Sequence, residues 1–154
     1  MTRLTPFRIF TTAAGLGAIL AASVTIADAA RLSPVSDKIT KTECSACHMV
    51  YPPGLLPKAS WKKILNTLSD HFGEDASLDA KTTAHIRNYL MSHANTRLKT
   101  KASNPTLRIT DFYWFNRQHG SRARAYAKSH KSIGTISNCA GCHRSAERGV
   151  FGDD

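Results

Sequence analysis

At 154 residues the chain has room for one domain of usual size or two very small ones. Part of its 42% hydrophobic content sits at the N-terminus and will not join a core. The formal charge of +10 suits an acidic protein partner or an anionic lipid surface, and equally a plain solvated basic face.

Residues 1–29 read as a secretory signal. Arg3 and Arg8 supply the positive start, 9–26 is an uncharged, alanine-rich apolar run, and Ala27-Asp28-Ala29 fits a small-x-small cleavage site. Cleavage after Ala29 is expected rather than retention as a membrane anchor, because the run carries Gly, Ser and Thr and a cleavage site follows it. The expected address is the periplasm, with no stable membrane insertion and no nucleic-acid partner there.

From Arg31 to Thr42, Val35 and Ile39 lie four apart and predict a short helix. It leads into Cys44-Ser45-Ala46-Cys47-His48. Cys-x-x-Cys-His is the attachment sequence of c-type haem. Two thiols one helical turn apart reach the two vinyl groups of one porphyrin, and the His that follows is held under the iron. Tyr51-Pro52-Pro53-Gly54-Leu55-Leu56-Pro57 holds three prolines and a glycine, which exclude a helix. A rigid loop over a haem face is expected, with a proline carbonyl accepting the Nδ1 proton of His48.

Ser60 is the expected N-cap of the next helix, carried by Trp61, Ile64, Leu65, Leu68 and Phe72 and stopped by Gly73. His71 falls on its apolar stripe and is the candidate second ligand to the first iron. A further helix is expected from Ser77 or Asp79 to about His93, with Ile86, Tyr89, Leu90 and His93 on one face. His85 and His93 are alternative ligands, or else surface and helix-end residues.

Residues 96–105 are basic, polar and poor in apolar side chains, and read as a linker. Thr110 is then the expected cap of a short helix from Asp111 to about Gln118, with Phe112, Phe115 and His119 on one face and Trp114 beside them. Arg122, Arg124, Lys128 and Lys131 form a basic stretch. Asn138 is placed to cap the turn bearing Cys139-Ala140-Gly141-Cys142-His143. The tail from residue 146 is expected to fray.

The two motifs use every cysteine in the chain. A structural zinc would need four donors at compact spacing and does not explain a His after both pairs. A thioredoxin-like pair would sit beside a strand–helix pattern, which is absent from the sequence. Two disulfides suit an oxidising compartment but likewise leave the histidines unexplained. Two covalently attached haem c groups account for all six residues.

The run through Cys44–His48, Tyr51–Pro57, Ser60-Trp61 and His71-Phe72-Gly73 resembles the bacterial dihaem cytochrome c family. So do Arg108-Ile109-Thr110, Trp114-Phe115 followed by His119, and Asn138 to His143 with Ala146-Glu147 and Gly149. The resemblance implies a mainly α protein. An N-terminal class I cytochrome c-like domain would occupy 30–95 and a small loop-rich haem-binding domain 106–154. It also implies bis-histidine ligation, by His48 and His71 at one iron and by His143 and His119 at the other. Asp111-Phe112-Tyr113 departs from the family pattern, which leaves His130, nearer Cys139, as the rival to His119.

Two axial histidines saturate an iron, which suits outer-sphere electron transfer at a lower potential than a Met ligand gives. The resemblance therefore implies an electron carrier and not an enzyme, with a small oxygen-binding c-type haem protein as acceptor. A small peroxidase or nitrite-reducing haem protein with one open iron is the alternative, although the chain has little room for a substrate cavity. A sensor or an electron-transfer subunit anchored to a membrane complex is the other.

Overall fold

The computed structural model describes residues 31–152, and the signal expected at 1–29 lies outside them. The described chain is mainly helical, with five α-helices, single 3₁₀ turns and only isolated bridges in place of strands. None of its helices is long and apolar enough to cross a membrane.

α1 (Lys38–Cys44) begins at Asp37, whose carboxylate accepts from the Thr40 amide at 2.7 Å. The expected sharing of one helix by Val35 and Ile39 does not occur: Val35 precedes α1 and is buried, while Ile39 is exposed. The polar cap sets the start of the helix.

α2 (Lys58–Asn66) starts earlier and ends earlier than expected. Pro57 is its N-cap, and Ser60 lies inside it, fully buried, with its hydroxyl donating to the Thr106 carbonyl at 2.6 Å. That acceptor is 46 residues away, so local capping rules miss it. At the other end Thr67 bonds back to the Lys63 and Ile64 carbonyls, and a 3₁₀ turn, Leu68–Asp70, follows. Asn66, Thr67, Ser69 and Asp70 compete with the helical ladder through their own side chains, so α2 stops well before Gly73.

α3 (Ala80–Ser92) keeps its expected bounds because Asp79 caps both the Lys81 and Thr82 amides. It packs on α2, and Trp61, Ile64, Leu65, Ile86 and Leu90 interdigitate there. The same buried cluster takes in Leu56 and Ala94, and continues beyond residues 96–105 to Phe112 and Phe115. The 51–57 segment makes one 3₁₀ turn, Pro53–Leu55, and is held down by two polar contacts. The Trp61 indole donates to the Pro53 carbonyl at 2.8 Å, and the Asn95 amide donates to the Leu56 carbonyl at 2.9 Å.

α4 (Tyr113–Gln118) is capped by Phe112 and not by Thr110, which precedes it in a 3₁₀ turn, Ile109–Asp111. α5 (Ser121–Ser129) occupies the stretch read as merely basic. Its only buried residue is Ala127, so no apolar stripe announces it. Within the tail expected to fray, residues 146–152 are held: the Gly149 carbonyl accepts from the Leu32 amide at 2.8 Å and Ala146 is fully buried, while residues 153–154 lie outside those described. A Cβ on Gly149, at φ +75°, would lie 1.9 Å from the Leu32 carbonyl oxygen, so only glycine allows this closure.

Asp37 also joins α1 to α3 through the His85 ring at 2.9 Å. Its carboxyl is held at about 2 against an ordinary 3.8, first by the Thr40 amide, then by His85 and the Thr40 hydroxyl. A depressed carboxylate contributes stability that is full above its unfolded value and is lost as pH falls through the folded one. Thermal unfolding of the wild type should therefore show a larger acid-side loss between pH 3.8 and about 2 than Asp37→Asn does. Asparagine keeps the cap and removes the titration. Identical acid limbs in the two proteins would refute the assignment.

Candidate functional site

The first motif leaves the end of α1. Cys44 is the last helical residue and is half-buried, and Cys47 and His48 follow in an exposed turn. The His48 Nδ1–H donates to the Met49 carbonyl at 2.7 Å, so a neighbouring main-chain carbonyl, not a proline carbonyl, fixes the tautomer. That leaves Nε2 free for a metal. His71 lies opposite, with ring centres 6.2 Å apart and planes inclined by 27°. It reaches this position from a tight turn and not from a helical stripe. The His71 amide donates to the Glu74 carbonyl at 2.7 Å, and Phe72 and Gly73 both take positive φ, 61° and 104°. Phe72 is a bulky residue in left-handed conformation, a strain of order 1–3 kcal/mol. The Arg108 guanidinium, 4.1 Å above its ring, helps hold it there.

The second motif closes a single turn. The Cys139 carbonyl accepts from the Cys142 and His143 amides at 3.1 and 2.8 Å, and Asn138 Oδ1 accepts from the Gly141 amide at 3.2 Å, the cap expected from the sequence. His119 ends α4. Its ring stacks on Phe115 at 4.1 Å, its Nδ1–H donates to the Phe115 carbonyl at 3.2 Å, and its centre is 5.9 Å from that of His143, with planes at 87°. Phe151 flanks His143 at 5.8 Å.

Between these groups lies a cavity of about 790 Å³, with Ile109, Trp114, Phe115, Ile133, Ile136 and Phe151 among its walls. Its size falls in the ~300–1,000 Å³ range of cofactor clefts. Trp114 presents a buried indole N–H with no partner in the protein. An unpaired buried donor costs about 1–3 kcal/mol, so a polar group on the occupant is called for. An apolar macrocycle with carboxylate substituents, bonded to thiols at one edge, meets both demands. A zinc site does not fit, since no group of three or more His, Cys, Asp or Glu converges among the described residues.

Burial pushes the His71 ring below its ordinary value, with His48 and Arg108 adding to the effect. Burial also lowers His119, helped by the His143 and Arg124 charges and opposed by the hydrogen bond to Phe115. Both shifts favour the neutral, ligating form. The Cys44 and Cys139 thiols are pushed up, chiefly by burial.

The remaining histidines are engaged elsewhere. His130, the rival to His119, is exposed, stacks on Tyr126 at 3.8 Å and donates to the Tyr126 carbonyl at 2.8 Å. His85 pairs with Asp37, and His93 packs on Tyr89 at 4.5 Å. One residue escaped the sequence reading. The Tyr51 ring lies 4.9 Å from that of His48, and its hydroxyl donates to the Ser137 carbonyl at 2.7 Å. Burial, with the Cys139 sulfur adding to it, pushes that phenol up to about 12. An aromatic three residues after His48 is the only sequence signal for it.

No curated protein sequence matches the chain. The family model for dihaem cytochrome c matches residues 40–151. The chain is similar to two structures from Rhodobacter sphaeroides. One, DHC, is 43% identical with a TM-score of 0.64; the other, a dihaem cytochrome c, is 40% identical with a TM-score of 0.69. Each comparison covers 77% of this chain and 99% of the other. A dihaem cytochrome c from Shewanella baltica is 37% identical over 75% of this chain and 86% of that one, with a TM-score of 0.64. With two Cys-x-x-Cys-His turns and this match over most of its length, the chain belongs to the dihaem cytochrome c family and carries two covalently attached haem c groups.

Proposed function

We propose that Cys44 and Cys47 hold one haem and Cys139 and Cys142 the other, with His48 and His71 axial at the first iron and His143 and His119 at the second. The observation that carries this is the spacing of the two facing histidine pairs, 6.2 and 5.9 Å between ring centres. Metal–imidazole bonds of about 2 Å on each side, plus the distance from each nitrogen to its ring centre, sum to roughly 6 Å.

Haem, when bound, supplies a reversible one-electron change at iron. The chain's residues keep that change free of side chemistry. His48 with His71, and His143 with His119, would hold each iron from two sides and would leave no open position for a substrate. The Met49 and Phe115 carbonyls hold His48 and His119 in one tautomer and one orientation. Nothing then needs to rearrange when the charge at iron changes. The protein is on this reading an electron carrier and not an enzyme.

By the same reading, residues 30–95 form a class I cytochrome c-like unit and 106–154 a loop-rich one, joined by 96–105. The expected export signal places the protein in the periplasm. Its acceptor is a small oxygen-binding c-type haem protein, and the basic net charge, +9 once residues 1–29 are removed, favours an acidic face on such a partner.

Electron paramagnetic resonance of the oxidised protein tests the ligation. Near-parallel imidazole planes at the first site and near-perpendicular ones at the second predict two low-spin signals, one rhombic and one of the large-anisotropy type. A high-spin signal from either iron would refute the reading. His130→Ala should leave both signals and the visible spectrum unchanged, because the ring is committed to Tyr126.

A further inference from the structure

Tyr51 touches both haem-binding segments. Its ring packs against His48 at 4.9 Å, and its hydroxyl crosses 86 residues of sequence to bond the Ser137 carbonyl at 2.7 Å. Ser137 stands two residues before Cys139, and its carbonyl also accepts from the Cys139 amide at 3.0 Å and faces the Cys139 sulfur at 3.6 Å. The run His48–Tyr51–Ser137–Cys139 is therefore continuous, made of one ring contact, one short hydrogen bond and two covalent links. Buried tyrosines find a partner for the hydroxyl. Here that partner is the backbone beside the opposite motif.

We infer that Tyr51 is the positioning residue that couples the two haem sites, fixing their separation and carrying the electronic contact between them. The inference rests on the ligation proposed above. One electron leaves the reduced iron of one site and arrives at the oxidised iron of the other. No bond forms or breaks, and the phenol keeps its proton, donating it to the Ser137 carbonyl. Tunnelling falls off faster through empty space than through bonds and hydrogen bonds, so a packed bridge sets the rate. The hydroxyl also pins the 137–139 backbone to the first motif. The ring keeps the loop at 51–57 against His48.

The test uses the complete protein with both haems, reduced by one electron per molecule. Nuclear magnetic resonance exchange between haem methyl signals of the two one-electron forms reads transfer between the sites. Tyr51→Phe keeps the ring and removes the hydroxyl. It should slow this exchange several-fold and raise amide hydrogen exchange over residues 137–139, while both midpoint potentials and both paramagnetic signals stay as in the wild type. Tyr51→Leu, which also loses the ring, should be slower still. If the leucine variant does not fold, the phenylalanine variant decides alone. Tyr113→Phe, at a side chain 77% exposed, is the control and should exchange at the wild-type rate. Wild-type exchange in Tyr51→Phe, or equal slowing in Tyr113→Phe, would overturn the inference. Failure of the ligation reading is separately visible, as a high-spin iron in the wild-type protein before any variant is made.

Discussion

Cys139→Ser combined with Cys142→Ser is expected to yield a protein with one covalent haem in place of two and an unfolded second site. Phe115 belongs to the main core and Trp114 and Ile136 pack against it, but their other side faces open space that the proposed haem would fill. Phe115, Ile133 and the half-buried Trp114 and Ile136 border a cavity of about 790 Å³. The cleft opens to solvent, so without its cofactor water reaches these apolar side chains and the burial that haem would provide is lost. α5, with only Ala127 buried, has little else to hold it. The α2–α3 pair has its own interdigitated core and should survive. Mass spectrometry should find a single haem adduct, and limited proteolysis should cut after residue 105 while the first half resists. Two haem adducts, or a second half as resistant as in the wild type, would sink this expectation.

His71→Ala and His119→Ala should each keep both covalent haems, because the cysteines are untouched. Each should gain one high-spin iron. Removal of a strong-field donor leaves five-coordinate iron that binds carbon monoxide when reduced, and the potential of the affected haem should rise. The two variants should differ in their secondary effects. His119 stacks on Phe115, a member of the main core, so its loss also loosens the cavity wall. His71 sits in the turn closed on Glu74, with Phe72 pinned under Arg108, and its loss should be confined to that turn. Visible spectra under carbon monoxide give the count. If His119→Ala stays low-spin and His130→Ala does not, the second ligand has been misassigned.

Chemistry that depends on neighbours in sequence was legible without a structure. Cys-x-x-Cys-His names its cofactor because two thioethers and one axial nitrogen must come from a single turn of chain. α3 was legible for the same reason: Asp79 caps it locally, and Ile86 and Leu90 repeat at helical spacing. Asn138 caps the second motif three residues on.

Tertiary structure decided what depends on distant partners. Ser60 has the composition of a cap, yet its hydroxyl finds Thr106 across the core. The described part of the tail is held because the Gly149 carbonyl meets the Leu32 amide at the opposite end of the described chain. α5 is a helix without an apolar stripe, visible only once Ala127 is seen to be buried. The histidines carry the same lesson. His130 is nearer to Cys139 in sequence than His119, but its ring is spent on Tyr126, four residues back, while His119 is turned by Phe115 toward His143. Spacing along the chain determined which residues could hold a haem. Which histidines face each other was set by packing, because each facing pair is a contact between segments that only the folded core brings within 6.2 Å.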